Sequence, residues 1–310
     1  MIVVLAGGVG AARFLQGLVQ VVPQNEIIVI GNTGDDREFY GLHVSPDLDI
    51  VTYTLADVVD ETHGWGIRND TYNTMGQLTQ YGNDDWFMLG DRDLATHIHR
   101  TNLLRQGKTI SEVTDDLRKQ FGLGIRLLPM TDQSVATNII TPVGQLHFQE
   151  YMVKRRCMDE VQDVLFAGVQ EARPAPGVLD ALKEADAILL SPSNPIVSIG
   201  TILAVPGIHD ALHETSSMII AVSPIIGGAP IKGPADKLMS GLGMEVSAVG
   251  VARCYRDFLD VMIIDEQDAH LVSEIEDLGI PTIATNTIMR DKESKAALAH
   301  KTLEAAGLSY

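Results

Sequence analysis

Residues 2–6, Ile-Val-Val-Leu-Ala, form a short, continuous apolar run rich in β-branched side chains, and Gly7-Gly8-Val9-Gly10 ends it. A helical pattern follows from Ala11 to about Gln20. A second apolar run, Ile27 to Ile30, ends in Gly31-Asn32-Thr33-Gly34-Asp35-Asp36. Strand, glycine turn, helix, strand is the opening of a Rossmann-like unit. The second half returns to the same alternation. Apolar runs at 187–190, 218–222, 246–249, 261–264 and 282–284 predict strands, and patterns at about 235–242, 267–278 and 291–306 predict helices. Strands that are apolar throughout, not at every second position, are buried on both faces. The predicted fold class is therefore α/β, a Rossmann-like parallel sheet with helices on both faces.

The middle of the chain breaks this rhythm. Residues from about 55 to 125 read as mainly helical, with Trp65, Tyr72, Tyr81, Trp86 and Phe87 set among polar residues. Residues 135–141 and 145–151 flank Pro142-Val143-Gly144 and read as a hairpin. The expected organisation is a nucleotide-binding core of residues 1–54 plus 161–310. Residues 55–160 form an insertion that caps one end of the sheet.

Composition narrows the partners. The chain has 310 residues, 45% hydrophobic and 21% charged, ordinary values for a globular protein with a large core. Its formal net charge of −18 should repel nucleic acid and anionic membrane surfaces. The densest basic run, Lys154-Arg155-Arg156, reads as a solvated face. Two cysteines, Cys157 and Cys254, are too few for a disulfide framework, and a reducing cytoplasm is the expected setting. The apolar N-terminus lacks a basic leader and reads as a first strand, not a signal peptide. No apolar run reaches the roughly 20 residues that cross a bilayer.

Five segments could carry chemistry. In Gly7-Gly8-Val9-Gly10-Ala11-Ala12-Arg13, glycines let backbone N–H groups turn toward a phosphate at a helix N-terminus, and Arg13 can add a charge-assisted contact. No Gly-Lys-Ser/Thr closes a P-loop, and Arg13 replaces the last glycine of the dinucleotide fingerprint. Asp35, Asp36, Asp47 and Asp49 lie in two short segments after the second strand. There they can offer oxygens to one hard cation, Mg²⁺ being the one that suits phosphate chemistry. Turn and cap aspartates are the plain alternative. Asp85-Trp86-Phe87-Met88-Leu89-Gly90-Asp91-Arg92-Asp93 mixes aromatic, Met and polar groups in a way that suits a flat heterocycle. Ser191-Pro192-Ser193-Asn194-Pro195 and the glycine-rich stretch from Ser223 to Pro234, which includes Lys232, each follow a strand. They can hold phosphate or ribose oxygens or cap the next helix. His97 and His99, two apart on a helix, face different ways. His209 and His213 lack the glutamate of a zinc helix.

In this order, Gly7-Gly8-Val9-Gly10-Ala11-Ala12-Arg13-Phe14-Leu15, Asn32-Thr33-Gly34-Asp35-Asp36, Pro46-Asp47-Leu48-Asp49, Leu89-Gly90-Asp91-Arg92-Asp93-Leu94-Ala95-Thr96-His97 and Ser191-Pro192-Ser193-Asn194-Pro195 resemble the 2-phospho-L-lactate transferases of deazaflavin coenzyme biosynthesis. The resemblance extends over nearly the whole chain, through Lys232-Gly233-Pro234. It implies a phospholactyl transfer. A GDP-activated lactate, or a close three-carbon analogue, gives up its phosphorylated acid to the terminal ribityl hydroxyl of the deazaflavin Fo, and GMP leaves. It further implies Mg²⁺ on Asp35 and Asp49, with Asp36 and Asp47 as alternates, and Asp49 near the ribityl hydroxyl. Gly8, Val9, Gly10 and Arg13 would face phosphate, and Ser193, Asn194 and Lys232 would hold the nucleotide. Trp86, Met88 and Arg92 would border the deazaflavin, and a homodimer is the implied assembly.

Two other readings compete. Gluconeogenesis-factor-like proteins, nucleotide-sugar-binding regulators, share the first glycine turn. Their second turn continues Asp-Asp-Gly-Gly-Ser, whereas this one continues Asp35-Asp36-Arg37-Glu38-Phe39. A nicotinamide dehydrogenase is disfavoured by Arg13 and by aspartates placed in a glycine turn instead of at a strand end.

Overall fold

A computed structural model describes residues 1–310. The chain opens with β1 (Ile2–Ala6), α1 (Gly8–Val21) and β2 (Ile27–Gly31). A small antiparallel hairpin follows, β3 (Arg37–Phe39) and β4 (Leu42–Val44), then α2 (Pro46–Leu55), α3 (Asn73–Gln80), α4 (Asp91–Arg105) and α5 (Ile110–Gln120). Next come β5 (Arg126–Pro129), β6 (Ala136–Thr141), β7 (Gly144–His147) and β8 (Asp163–Ala167). The second half runs through α6 (Val178–Glu184), β9 (Ala187–Leu190), α7 (Ile199–Ala204), α8 (Ile208–Glu214), β10 (Met218–Val222), the tiny hairpin β11 (Ile225–Ile226) and β12 (Ala229–Pro230), and α9 (Ala235–Gly241). It closes with α10 (Ala248–Tyr255), β13 (Val261–Asp265), α11 (Val272–Glu276), β14 (Thr282–Thr285) and α12 (Lys292–Ala305).

Seven strands form one parallel sheet in the order β14-β13-β10-β9-β1-β2-β5. From β1 the chain builds outward to β2 and β5, then returns to β1's other side for β9 and continues outward to β14. Ile2 is the hinge of that reversal, registered with Ile27 on one side and Ala187 on the other. This is the doubly wound strand order, in which ligands bind beyond the strand ends where the order reverses. Every residue of β1, β2, β9 and β13 is buried, which explains their unbroken apolar runs. Alternate side chains feed two cores. Val3, Leu5, Ile28 and Leu190 pack on one face, and Ile2, Val4, Val29 and Leu189 on the other. Helix α1 lies close against α12, and a Cβ at Gly17 would collide with the Lys295 backbone.

Four expectations change. Residues 246–249 are not a strand: Ser247 caps α10 by accepting from the Gly250 N–H at 3.1 Å, and the apolar run beyond it is a buried helix face. Short apolar runs fit either element, and the capping serine decides. Part of the 55–160 segment belongs to the main sheet, because β5 pairs with β2. The hairpin gains a third strand, β8, and its second strand ends at His147, giving way to a π-helical turn at Glu150–Lys154. Residues 267–271 of the predicted 267–278 helix belong to a 3₁₀ turn, Glu266–Leu271, that precedes α11. No helix is long and apolar enough to cross a membrane.

Candidate active site

The loops that leave the strand ends enclose one cavity of about 670 Å³, within the roughly 300–1,000 Å³ of small-molecule sites. The turn after β1, Asp35 after β2, Ser193 and Asn194 after β9, Ser223 after β10, and Thr287 to Arg290 after β14 all line it. Topology alone brings these residues together, since every parallel strand ends on the same side.

The glycine turn forms one wall. Gly8, Val9 and Gly10 open α1 and line the cavity at the positive end of the helix dipole; their N–H groups have no partner one turn back, and that of Gly8 is directed to Asp47. Gly8 holds φ +71°, a left-handed value that favours glycine. Gly10 is required for closeness, because a Cβ there would strike the Pro192 carbonyl. Ser193 laces the two loops together: its hydroxyl donates to Gly7 O at 2.7 Å and lies 2.9 Å from the Ser191 hydroxyl. Asn194 turns its side-chain oxygen to the N–H groups of Ile196 and Val197 at 2.9 and 3.3 Å. Both residues line the cavity, but much of their hydrogen-bonding capacity maintains the loop. Arg13, Lys232 and Arg290 form a basic rim. Burial lowers the Lys232 pKa, and the neighbouring Arg13 charge adds to the effect.

The floor is acidic. Asn32 organises it by accepting from the Gly34 N–H with its oxygen at 2.8 Å and donating to Asp47 with its amide at 2.9 Å. That closes the turn that carries Asp35 and ties it to the first turn of α2. Asp35 is buried, and one of its carboxylate oxygens has no hydrogen-bond partner. Burial raises its pKa well above the usual carboxylate value, and the charges of Asp47 and then Asp36 push the same way. Burial also raises Asp47, to about 6, against the restraining Asn32 hydrogen bond. Asp36 does not line the cavity. It accepts from the Ser45 hydroxyl at 2.7 Å and meets His43 at 3.0 Å, which pins the β3–β4 hairpin to the start of α2. Asp49 reaches the floor already paired with Arg100. No set of three or more acidic, His or Cys side chains converges as a metal cage. A cation held by Asp35 and Asp47 would take its other ligands from phosphate and water, which is the pattern of Mg²⁺.

The sequence reading missed the layer beneath this floor. Asp93, His97 and Arg100 share one face of α4 at i, i+4 and i+7, and all are buried. Their spacing was the available signal. His97 lies inside, while His99 points outward to Asp116 at 2.8 Å.

The opposite wall is apolar. Trp86, Phe87, Met88 and Leu89 line it, joined by Met152 and Val153 from the π-helical turn. Phe39 stacks on Phe87 at 3.8 Å and meets Trp86 edge-on at 5.4 Å. Arg37 sits over the Phe39 and Trp86 rings at 5.6 and 5.7 Å. Arg92, expected here, is not in the wall. The first turn of α4 sends Asp93 inward and Arg92 outward, where its guanidinium donates to Arg68 O at 3.0 Å. Trp65, flanked by Gly64 and Gly66, covers the cavity from the 60–70 segment and was read only as a generic aromatic.

The family model for 2-phospho-L-lactate transferase CofD matches residues 2–302. A Streptomyces griseus protein named phosphoenolpyruvate transferase is 48% identical, with 98% of each chain covered. A Methanosarcina mazei protein named 2-phospho-L-lactate transferase is 41% identical, covering 98% of this chain and 99% of the relative. A crystal structure of a Bacillus halodurans protein of the upf0052 family superposes with a TM-score of 0.64 at 14% identity, covering 97% of this chain and 98% of that one, and supports the fold. The strand order, the glycine turn and the two aspartate segments thus sit in a chain that belongs to the 2-phospho-L-lactate transferase CofD family.

Proposed function

We propose that the protein transfers a phosphorylated three-carbon acid from a GDP-activated donor to the terminal ribityl hydroxyl of Fo. The observation that carries this reading is a single cavity lined together by the glycine turn with Arg13 and Lys232, by Asp35, Asp47 and Asp49, and by Trp86 and Met88. The diphosphate would lie along the N–H groups of Gly8 to Gly10, within reach of Arg13 and Lys232. The deazaflavin ring would lie against Trp86 and Met88. The hydroxyl oxygen attacks the phosphorus that bears the acid and gives up its proton to water, the bond from that phosphorus to the GMP oxygen breaks, and GMP leaves with the displaced electron pair.

Asp35 and Asp47 would hold Mg²⁺, and the orphaned buried oxygen of Asp35 supports that fit. When bound, the ion offsets charge on the diphosphate. Asp49 would orient the hydroxyl, and positioning supplies much of the rate in such transfers. Relatives 44–48% identical carry the name phosphoenolpyruvate transferase, and those at 40–42% the name 2-phospho-L-lactate transferase. The enolpyruvyl donor is therefore the first to test.

The test is a fluorescence titration of the purified protein with Fo, with and without GDP and Mg²⁺. Turnover of the enolpyruvyl and lactyl donors follows, read by product mass. Saturable Fo binding and a product bearing one of the acids support the reading. A folded protein that binds UDP-sugars but not Fo refutes it.

A further inference from the structure

Four carboxylates line the cavity, yet Asp93 lies against His97 and accepts from Tyr53, and Asp49 pairs with Arg100, so only Asp35 and Asp47 have no basic partner. Both oxygens of Asp49 are taken by the Arg100 guanidinium: Nη1 donates to Oδ2 at 3.1 Å, and Nη2 donates to Oδ1. This is not a surface ion pair. Arg100 is 3% exposed and is the protein's single buried arginine. Burial works against its charge, and Asp49 beside it more than restores it.

Arg100 is itself held in place. Its Nη1 donates to His97 Nδ1 at 3.0 Å and reaches His43 O at 3.4 Å. A guanidinium only donates, so Nδ1 accepts, and His97 Nε2 lies 3.2 Å from Asp93 Oδ1 without forming a hydrogen bond to it. Asp93 accepts from the Tyr53 hydroxyl at 2.7 Å. Tyr53 belongs to α2, the helix that begins with Asp47 and Asp49. The chain of contacts therefore leaves α2 at Asp49, passes through α4 and returns to α2 one turn on.

We infer that Arg100 is a positioning residue that withholds Asp49 from the metal, so that Asp35 and Asp47 alone hold the cation. This rests on the two-aspartate metal reading above. Its logic is charge balance. Mg²⁺ in phosphate sites takes one or two carboxylates and leaves positions for phosphate and water. A third free carboxylate would claim a position the diphosphate needs and would repel the diphosphate itself. Arg100 neutralises that third carboxylate without removing it from the cavity, and the His97–Asp93–Tyr53 support stops the guanidinium from swinging away.

The experiment is Mn²⁺ binding to the full chain in the presence of GDP, read by electron paramagnetic resonance without turnover. Asp49→Asn should leave the Mn²⁺ Kd within about twofold of wild type, while Asp35→Asn and Asp47→Asn weaken it at least about tenfold (1.4 kcal/mol per decade). Arg100→Gln should tighten Mn²⁺ at least about threefold by releasing Asp49, and that gain should vanish in the Arg100→Gln/Asp49→Asn double variant. A tenfold loss in Asp49→Asn overturns the inference and leaves the metal reading standing. So does unchanged affinity in a folded Arg100→Gln protein. No Mn²⁺ binding by the wild type overturns both. If Arg100→Gln fails to fold, the Asp49→Asn comparison decides alone.

Discussion

Gly10 offers a direct test of the glycine-turn geometry. In Gly10→Ala the new Cβ would overlap the Pro192 carbonyl oxygen and approach its carbon at 3.3 Å. The obstacle is the Pro192 backbone in a loop that also holds Pro195, so no side chain can rotate away. Overpacking of this kind costs about 1–3 kcal/mol, and a rigid obstacle places the cost near the upper end. Alanine recovers about 1 kcal/mol over glycine inside a helix. The net loss is about 2 kcal/mol, or a fall in Tm of about 4 °C at roughly 2 °C per kcal/mol for a chain of this size. The displaced loop carries Ser193, which is bonded back to Gly7, so the phosphate wall moves as well. GDP affinity should drop at least about tenfold. Gly76 in α3 is the control: nothing lies within 4 Å of a Cβ there. Gly76→Ala should raise Tm by about 2 °C, from the roughly 1 kcal/mol helix preference, without touching GDP binding. Thermal melts and GDP titrations on both variants decide the matter. A Gly10→Ala protein with wild-type Tm and affinity would refute the close approach of the two loops.

Other consequences follow from the same geometry. Trp86→Ala should weaken Fo binding about tenfold, a loss of about 1.4 kcal/mol, and spare GDP; equal losses in the two titrations would make Trp86 scaffold. Asp49→Asn should lower turnover at least about a hundredfold with the circular dichroism spectrum unchanged, and near-wild-type turnover would remove Asp49 from the reaction. Burial, with the Arg37 charge adding, pushes His147 down to about 4, below the roughly 6.5 of an unfolded histidine. Between those values the unfolded chain takes up a proton that the folded protein refuses. The stability concerned is complete above about pH 6.5 and is lost as pH falls toward 4. Urea midpoints across that range should therefore fall less steeply in His147→Gln, and an identical slope would show that His147 titrates normally.

Some of this architecture was legible in the residues themselves. Ile2–Ala6 and Ile27–Gly31 could be read as strands because a strand buried on both faces has only apolar positions to show. The glycine turn was legible because its chemistry is local backbone. Strand β8 was not: Asp163-Val-Leu-Phe-Ala has alternating, half-exposed positions and pairs on one side only. The run at 246–249 misled because four apolar residues fit a strand or a buried helix alike, and the deciding hydrogen bond comes from Ser247. In the site, the singled-out segments converge on one cavity that Asp36 and Arg92 do not line, and the partners of the acidic side chains were not visible in the sequence. Asp49 and Arg100 lie 51 positions apart, and only the docking of α4 beneath α2 makes them a pair. Arg92 and Asp93 are adjacent in sequence, and a helix sends them in opposite directions.

The placement of charge makes a further argument. Under the proposed function a chain of net charge −18 admits a polyanion against its own long-range field. At physiological salt, charges more than about 8 Å away are largely screened, so the groups lining the cavity decide. Those groups are sorted into two sets, each at odds with itself. Burial and then the Arg13 charge depress Lys232 on the rim, and burial and then the Asp47 charge raise Asp35 on the floor. No salt bridge joins Arg13 or Lys232 to Asp35 or Asp47. Mutual neutralisation would stabilise the fold and close the site. Keeping the sets apart leaves each to be satisfied from outside, in the proposed chemistry the rim by a diphosphate and the floor by a cation. Arg100 is the exception that completes the pattern, a cation given to the one floor carboxylate that the proposed chemistry does not assign to the metal.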